Sequence, residues 1–278
     1  MQAVLRLVES AGSASVSELA KSFAVSEVTV RGDLSELAHQ GLVTRVRGGV
    51  RARERRGLEL AFDQRLRIES ARKQAIARAA ATLIDDGEAV ALDSSTTSYY
   101  LALELRDKHE LVVVTNGLFT AAALADAPGV TVLMTGGIVR MPSMSVVGDL
   151  GSEVLQTTQI DKGFLGARGL SLQRGLMDLD PSEVRVKREI ADACGQVFGI
   201  LDSTKWQRNA LLSFVGTDAV DAIVTDADAP SEEVEAWRER GVAVTLVDIA
   251  TFRAPAARTP ELRRPVPDHP VADQESAR

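Results

Sequence analysis

The sequence of 278 residues predicts an α/β protein of two domains, in which a small helical module precedes a larger domain with a mainly parallel sheet. Three observations predict this arrangement. Two short amphipathic stretches joined by a tight turn lie near the N-terminus, and a basic stretch with two adjacent glycines follows them. From residue 71 onward, apolar strand-like runs alternate with helical runs, which is typical of a parallel sheet covered on both faces. The charge, finally, is divided between the two parts.

This division separates a basic N-terminal part from an acidic remainder. Residues 1–57 hold nine Lys and Arg against six Asp and Glu, whereas the whole chain holds 32 against 39. The first part is therefore +3 and the rest −10, which together give the net charge of −7. A basic end on an acidic body is expected when only one end meets phosphate groups, so the division favours nucleic acid as a partner of the N-terminal part.

The composition is that of a globular protein with a mostly aliphatic core. Hydrophobic residues make up 45% of the chain and aromatic residues 4%. No apolar run approaches the ~18 residues that a membrane-spanning helix needs, and the first ten residues do not resemble a signal peptide. The one cysteine, Cys194, excludes an internal disulfide. We therefore expect a cytoplasmic protein with no membrane partner, and Cys194 as a small buried side chain on a helix.

The N-terminal module is predicted to contain two capped helices. Ser15 and Glu18 have the S-x-x-E spacing of a capping box, which marks the start of the first. Residues 24–25 form the turn, Ser26 is a suitable N-cap for the second helix, and Gly41 ends it. The apolar residues of the second helix fall at helical spacing and are expected to face the core: Val30, Leu34, Leu37 and Ala38.

Two helices joined by so short a turn match the helix-turn-helix pattern, in which the second helix lies in the major groove of DNA. Strand-forming residues around two adjacent glycines then predict a basic hairpin, or wing. We expect DNA contacts from the start of the second helix and from the wing: Ser26, Glu27, Thr29, Arg31, Arg45, Arg47, Gly48, Gly49 and Arg51. The alternative is that these two helices and a short apolar helix at residues 3–9 form a packing module whose basic edge is only solvated.

The larger domain is predicted to begin with a helix at 72–84. Its expected strands are 88–93, 111–116, 130–137, 162–167, 197–204, 222–227 and 242–248. Its further helices are expected at 94–105, 118–126, about 149–157, 182–194 and 231–240. In sheets of this kind, ligands bind beyond the C-terminal ends of the strands.

Polar residues follow several of these strands. A run of hydroxyls directly before a helix is suited to an anion of the size of phosphate, although one hydroxyl would suffice for plain N-capping. Lysines farther along the chain could neutralise such an anion, or could simply be solvated. The expected effector-binding residues are Asp93, Ser94, Ser95, Thr96, Thr97, Thr115, Asn116, Gly136, Gly137, Lys187 and Lys205.

These patterns predict domain limits. We expect a DNA-binding domain at 1–57, a linker at 58–72, an effector-sensing domain at 73–252 and a disordered tail at 253–278, which has five prolines among charges. The three histidines are scattered and Cys194 has no cysteine partner, so no metal site is expected.

In the N-terminal module the chain resembles the DeoR family of bacterial repressors of sugar operons. The family's signature is a Val-Ser, a Thr-Val/Ile-Arg-Arg-Asp-Leu, a Gly and an Arg-x-His-Gly-Gly. The matching segments here are residues 25–26 (VS), 29–34 (TVRGDL), Gly41 and 45–49 (RVRGG). Gly32 replaces the second arginine of the recognition helix, at a cost of about 1 kcal/mol in helix propensity relative to Ala. Arg47 replaces the wing histidine.

The larger domain resembles the same family, motif by motif and in the same order, so that the likeness covers about residues 2–250. The segments that carry it are Phe62 with Arg65, then 93–97 (DSSTT), 115–116 (TN), 136–137 (GG), 161–166 (DKGFLG), 186–188 (VKR), 202–205 (DSTK) and 225–226 (TD). Ser95 stands where the family commonly has Gly, and its Cβ would narrow the loop.

The resemblance implies a winged helix-turn-helix followed by a sensor domain similar in fold to ribose-5-phosphate isomerase, with a pocket for a sugar phosphate. It implies transcription regulation: a repressor of a carbohydrate-metabolism operon, released from double-stranded operator DNA by a phosphorylated sugar or similar small anion. Helix-turn-helix proteins span two half-sites as dimers, so we expect a homodimer or homotetramer.

The likeness to an isomerase also leaves an enzyme with an accessory DNA-binding head as the alternative. Isomerisation needs a carboxylate base over the sugar, and Glu183 and Asp180 are near the cationic motif in sequence. The same helix carries Arg185, Lys187 and Arg188, which suit binding better than proton abstraction. We therefore expect no catalytic residue and no cofactor.

Overall fold

The computed structural model describes residues 4, 7–8, 13–39, 43–52 and 60–251. The predicted helix stop at Gly41, the arginines at the end of the predicted DNA-binding domain (53–56), the start of the predicted linker (58–59) and the predicted disordered tail (253–278) lie outside these residues. Among the described helices, none is long and apolar enough to cross a membrane.

Among the residues that the structure describes, the N-terminal domain has two complete helices packed on a three-stranded antiparallel sheet of order β1-β3-β2, and residues 4, 7 and 8 are also helical. Its elements are β1 (Ser13–Ser15), α1 (Val16–Phe23), α2 (Glu27–His39), β2 (Val43–Val46) and β3 (Gly49–Ala52). The sequence does not predict β1, because three residues with one apolar side chain have no periodicity. Its pairing with β3 defines it as a strand.

Both predicted helix caps are present. The Ser15 hydroxyl accepts a hydrogen bond from the Glu18 amide (3.1 Å), and the Glu18 carboxylate accepts one from the Ser15 amide (2.8 Å). Ala24, the C-cap of α1, has a left-handed φ of 53°, and the Ser26 hydroxyl accepts from the Thr29 amide (3.1 Å). The turn sets the two helices so that their apolar faces share one core, which contains Val16, Leu19, Val30, Leu34, Leu37, Val43 and Val50.

The second domain is built on a seven-stranded sheet of order β15-β14-β12-β9-β4-β5-β6, in which all neighbours are parallel. The strands are β4 (Ala89–Leu92), β5 (Leu111–Thr115), β6 (Val130–Met134), β9 (Ile160–Leu165), β12 (Cys194–Ile200), β14 (Ala222–Asp226) and β15 (Ala243–Val247). This confirms the predicted fold class, a winged helix-turn-helix followed by a mainly parallel α/β domain.

Helices cover both faces of this sheet, which is why its central strands are apolar throughout. They are α3 (Phe62–Arg67), α4 (Ser70–Ala81), α5 (Thr96–Glu104), α6 (Leu118–Leu124), α7 (Ser152–Thr157), α8 (Pro181–Asp192) and α9 (Ser231–Glu239). One buried apolar cluster includes residues of α4 and α5, and another includes residues of α8 and α9. Short 3-10 turns lie at Asp149–Gly151, Ser203–Lys205, Thr217–Ala219 and Ile249–Thr251.

Two small antiparallel additions lie beside the main sheet and are not predicted from the sequence. A hairpin joins β7 (Ile138–Arg140) and β8 (Ser145–Val147). A three-stranded sheet joins β10 (Gly169–Ser171), β11 (Gly175–Asp178) and β13 (Leu212–Val215). Strands this short carry too few residues to show an alternating pattern.

The prediction that Cys194 lies on a helix is wrong. Helix α8 ends at Asp192, Ala193 is its C-cap, and Cys194 begins β12, where it is partly buried rather than fully buried as expected. The Cys194 thiol still contacts the helix end, because Sγ donates to the Ile190 carbonyl at 3.0 Å. Burial raises the pKa of this thiol to about 12, so it is unreactive at neutral pH.

The segment predicted as a linker, 58–72, contains α3 and the beginning of α4. The Phe62 side chain is buried, and its ring lies against those of Phe119 (4.7 Å between centroids) and Tyr99 (5.8 Å). From residue 60 onward this segment therefore packs on the second domain.

Candidate functional site

The first turns of α2 carry the exposed polar residues that a recognition helix needs. Ser26, Thr29 and Arg31 are exposed, and the hydroxyls of Ser26 and Thr29 lie 2.8 Å apart. Arg31 Nη2 lies 3.1 Å from a Glu27 carboxylate oxygen, and both side chains are at least half exposed. An exposed pair of this kind contributes less than about 1 kcal/mol, so a DNA phosphate can compete for the guanidinium.

Strands β2 and β3 form the predicted wing. Its turn lies at Arg47 and Gly48, where the φ of 78° suits glycine. Arg45, Arg47 and Arg51 are exposed. Arg45 Nη1 donates to the backbone oxygen of Arg31 at 3.3 Å, which places the wing directly beside α2. The structure thus brings the cations of the helix and the wing to one surface.

Gly49 differs from the other predicted DNA contacts because it is buried. A Cβ at this position would lie 2.5 Å from the Ala14 carbonyl oxygen. Glycine here permits the close pairing of β1 with β3, which is a packing role.

Val28 is a surface residue of this region that sequence reasoning missed. Its side chain is 79% exposed on α2, between Glu27 and Thr29. An apolar side chain at a recognition helix can contact the methyl group of thymine. The sequence contains one sign of this exposure: Val28 is apolar, yet at helical spacing it does not fall on the apolar face formed by Val30 and Leu34.

In the second domain, the hydroxyl run begins at a buried carboxylate. Asp93 Oδ1 accepts hydrogen bonds from the Ser95 amide (3.0 Å) and the Ser98 hydroxyl (2.5 Å). Its Oδ2 accepts from the Gly166 amide (2.9 Å) and lies 3.0 Å from Lys187 Nζ. Asp93 therefore organises the loop after β4, and its oxygens are occupied by protein donors.

The four hydroxyls after Asp93 have different partners. The Ser94 hydroxyl donates to Glu183 (3.1 Å), and the Ser95 hydroxyl caps α5 by accepting from the Ser98 amide (3.1 Å). Ser95 thus performs the plain N-capping that was the alternative for this run. The hydroxyls of Thr96 and Thr97, in the first turn of α5, have no hydrogen-bond partner among the residues that the structure describes.

Thr96 and Thr97 line a cavity beyond the C-terminal ends of β4, β9 and β12, together with Ser95. This is the end of the sheet at which ligands of such folds bind. Its lining contains five basic side chains, Arg65, Lys73, Arg168, Lys187 and Lys205, and two acidic ones, Asp178 and Asp202. Basic groups beside a helix N-terminus make the cavity suited to an anion.

The other predicted strand ends are not part of this cavity lining. The Asn116 side-chain amide donates to the Val146 carbonyl, and the Val146 amide donates to the Asn116 carbonyl (2.7 Å). At Gly137, whose φ is 139°, a Cβ would lie 2.3 Å from the Val147 carbonyl oxygen. Thr115, Asn116, Gly136 and Gly137 lie where the hairpin β7–β8 and the chain after it cover the ends of β5 and β6.

Lys187 lies at the cavity, but its charge is already paired. Its Nζ is 2.6 Å from Asp178 and 3.0 Å from Asp93, and it donates to the Gly166 carbonyl (2.8 Å). Burial alone would lower the pKa of Lys187, yet the two carboxylates raise it above its usual value. The same pairing, with Arg168, keeps the pKa of Asp178 low despite its burial. Lys187 therefore holds the cavity wall together as a cation between two anions.

Lys205 is more available. Its Nζ lies 3.7 Å from Asp202 and donates to the Thr204 hydroxyl at 3.3 Å, which are long contacts. Asp202 is buried, and Lys205 with the Thr204 hydroxyl lowers its pKa despite that burial. Lys205 can turn toward an anion in the cavity without leaving an acid wholly unpaired, since Thr204 also bonds Asp202.

Models of known families match both domains. The DeoR-like helix-turn-helix domain matches residues 1–56, and the DeoR C terminal sensor domain matches residues 68–227. The chain belongs to the DeoR family. It is a DNA-binding transcriptional regulator.

Curated DeoR-family relatives match over nearly the whole chain. A putative aga operon transcriptional repressor of Escherichia coli is 33% identical over 88% of this chain and 91% of the relative. The regulator GolR of Listeria innocua is 31% identical over 88% and 96%. The glycerol-3-phosphate regulon repressor of Escherichia coli is 30% identical over 87% and 96%. These relatives are named as regulators, which agrees with a DeoR-family protein that is not an enzyme.

Among solved structures, a D-ribose-5-phosphate isomerase in complex with phospho-erythronic acid aligns with a TM-score of 0.38 and 15% identity. The alignment covers 50% of this chain and 54% of that one. A TM-score this low carries no argument about the site.

The carboxylates considered for an isomerase mechanism are occupied in this DeoR-family domain. Glu183 is buried and accepts hydrogen bonds from the hydroxyls of Ser94, Ser143 and Ser145. Asp180 caps α8 by accepting from the Glu183 amide (3.2 Å) and the Ser182 amide (3.0 Å). Both carboxylates are thus held by protein donors, and neither is part of the cavity lining.

Sequence reasoning missed Arg65, Lys73 and Arg168 as cavity residues. Arg65 and Lys73 lie in or next to the segment predicted as a linker, and Arg168 follows β9 closely. Arg168 could have been predicted as a cavity residue, because it closely follows the end of a strand, as residues 93–97 do. No comparable signal marks Lys73, which lies within a helix.

Proposed function

We propose that this protein represses an operon of carbohydrate metabolism and leaves its double-stranded operator when a phosphorylated sugar, or a similar small anion, occupies the cavity. Two of the relatives above are named for an operon or a regulon, one of them for glycerol 3-phosphate. A regulator of chromosomal DNA in bacteria acts in the cytoplasm. The domain limits 1–57 and 73–252 are part of this proposal.

The observation that carries the proposal is the chemistry of the cavity. Two hydroxyls of a helix first turn, Thr96 and Thr97, face a lining with five basic and two acidic side chains. A phosphate dianion would accept hydrogen bonds from the helix N-terminus and offset the surplus of basic groups. Neighbouring polar side chains such as Asp202 could bind sugar hydroxyls.

The DNA-binding part rests on the joint surface of α2 and the wing. We propose contacts from Ser26, Glu27, Thr29, Arg31, Arg45, Arg47, Gly48 and Arg51, with Gly49 acting through the fold of the wing. Guanidinium groups at these positions can bind phosphates or guanine edges. With Gly32 in place of an arginine, recognition depends more on Arg31 and the wing.

We propose a second copy of the chain as a further partner, in a homodimer or homotetramer. Strand β6 is an edge of the sheet, and exposed apolar side chains cluster on it and on the following segment: Leu133, Ile138, Val139, Met141 and Leu150. Edge strands with apolar residues favour pairing with another chain. Sedimentation of Ile138→Glu with Met141→Glu tests this proposal, which a variant that still sediments as the wild-type oligomer would contradict.

The proposed function is tested by operator binding in the presence of candidate effectors. A high-affinity duplex is first selected from random sequences with the full-length chain. Gel shifts are then run with glycerol 3-phosphate, ribose 5-phosphate, glucosamine 6-phosphate and inorganic phosphate. We expect at least one phosphate ester to weaken DNA binding at least tenfold, while the unphosphorylated sugars do not. No effect from any ester would contradict the proposed effector class.

A further inference from the structure

The segment at residues 60–73 connects the two domains and also lines the cavity. Leu60, Arg65, Ile68 and Lys73 are all part of the lining. An anion in the cavity would therefore touch the chain that leads to the DNA-binding domain, in addition to the strand ends of the sheet.

One end of this segment is fixed to the sheet. Arg72, in the first turn of α4, donates to Ser203, in the 3-10 turn after β12, and to Asp226, the last residue of β14. It also pairs with Asp228 at 2.7 Å and with Glu69 at 2.9 Å. Glu69 has a left-handed φ of 52°, so the chain bends sharply between α3 and the anchored start of α4.

Lys73 links the cavity to the end of α3. Its side chain is buried, and its Nζ donates to the backbone oxygens of Arg65 (2.5 Å) and Ile68 (2.7 Å). Those oxygens belong to the last turn of α3 and the bend that follows it. An ammonium has three N–H donors, so one remains for a ligand.

The charges around Lys73 come from several elements. Arg65 of α3, Arg168 after β9 and Lys205 after β12 are cationic neighbours, and Asp202 at the end of β12 opposes them. The paired Lys187 and Asp178 lie farther along the same lining. Burial first, and then the nearby cations, lower the pKa of Lys73 to about 7. With Asp202 as the only opposing charge among these neighbours and no anion in the cavity, a large part of the Lys73 population is therefore neutral at physiological pH.

We propose that Lys73 couples the effector to the DNA-binding domain: a bound anion contacts the third donor of its ammonium, while the other two hold Arg65 O and Ile68 O and so order the end of α3. This inference rests on the proposed function, because it requires an anion in this cavity. Charge-assisted hydrogen bonds are about twice as strong as neutral ones, so the protonation state of one amine changes how firmly the connecting segment is held. Coupling of this kind is reciprocal, so operator DNA would weaken anion binding by the same factor.

The proposal predicts how many protons the protein takes up when the anion binds. Near pH 8 an amine with a pKa of about 7 is roughly 90% neutral, and a bound anion raises that pKa. Binding should then take up close to one proton. A phosphate monoester, with a second pKa of about 6, is already a dianion at this pH and releases almost none.

The experiment is calorimetry of the full-length chain near pH 8, in Tris and in HEPES, with the ester that gives the largest effect on operator binding. The difference between the two buffers gives the number of protons taken up. Wild type should take up close to one, and Lys73→Met close to none. Lys108→Met is the matched control, because Lys108 also donates to a backbone oxygen, that of Ile84, but is not part of the cavity lining. It should behave as wild type.

The second readout is the decrease in operator affinity caused by the ester. In Lys73→Met we expect this decrease, measured relative to the same variant's affinity without the ester, to be at least tenfold smaller than in wild type and in Lys108→Met. Proton uptake and operator release equal to wild type in Lys73→Met would overturn the inference and leave the proposed function standing. If no ester binds the wild type, the inference and the proposed function are both contradicted. If Lys73→Met does not fold, the proton uptake of the wild type alone tests the inference, because a wild-type uptake near zero overturns it.

Discussion

Lys187 Nζ lies 3.0 Å from the Asp93 carboxylate, and both side chains are buried. The pair joins helix α8 to the loop after β4, across the wall of the cavity. Asp178, 2.6 Å away on β11, is the second carboxylate bound to the same ammonium. Lys187 thus supports the cavity wall through its two carboxylate partners.

Replacing Lys187 should therefore destabilise the fold. Lys187→Met leaves two buried carboxylates without their cation, which costs about 3–5 kcal/mol in the free energy of unfolding. Urea denaturation measures this destabilisation. Arg185→Met is the control, because Arg185 lies on the same helix with its side chain 58% exposed, and it should cost less than about 1 kcal/mol. Equal stability of the two variants would contradict the structural role of Lys187.

The arginines of α2 and the wing should contribute to DNA affinity through phosphate. Arg31→Ala and Arg47→Ala should each weaken operator binding, and each should lower the slope of log affinity against log salt by about 0.9 for every phosphate that the arginine neutralises. Arg188→Ala, an exposed arginine of the second domain, is the control. Unchanged affinity and slope in both head variants would disprove the proposed DNA surface.

Val28 should affect sequence preference without affecting salt dependence. Val28→Ser removes the exposed apolar group from α2 and should weaken binding to the selected operator by on the order of 1 kcal/mol. Binding to random DNA should be unchanged, because no charge is altered. Competition gel shifts with specific and random duplexes measure both. A parallel weakening on both duplexes would show that Val28 does not contact a base.

The Cys194 thiol should resist alkylation in the folded protein. With its pKa raised by burial to about 12, the thiolate is scarce near pH 8. Reaction with iodoacetamide should be roughly 1,000-fold slower than in denaturant, where the pKa returns to about 8.5. The rate should rise with pH until the folded-state pKa is reached. Similar rates in the folded and unfolded chain would contradict the burial of this side chain.

The sequence predicts the main sheet well because its strands and helices are long enough to show a period. The capping pair Ser15 and Glu18 and the cap at Ser26 are also local, so spacing alone identifies them. The hairpin β7–β8 has strands of three residues and no such pattern. It covers the strand ends at Asn116 and Gly137, which is why those residues do not reach the predicted cavity.

Only some of the residues that line the cavity could be predicted from the sequence. Thr96 and Thr97 follow a strand closely, so the strand-end rule finds them. Lys73 and Arg65 reach the same cavity because Phe62 packs α3 against Tyr99 and Phe119, and this tertiary contact is not encoded in spacing. The pairing of Lys187 with Asp93 is equally non-local, so an apparent anion ligand proved to be held by two carboxylates.

The central claim is that an anion in this cavity releases the operator, and one comparison tests it most directly. Thr96→Ala combined with Lys205→Ala removes a first-turn hydroxyl and a cation from the lining, and leaves the DNA-binding domain untouched. Gel shifts with the selected operator should show wild-type affinity without effector, and no release by the phosphate ester that releases wild type. Normal release from the double variant would place the effector site elsewhere and contradict the account.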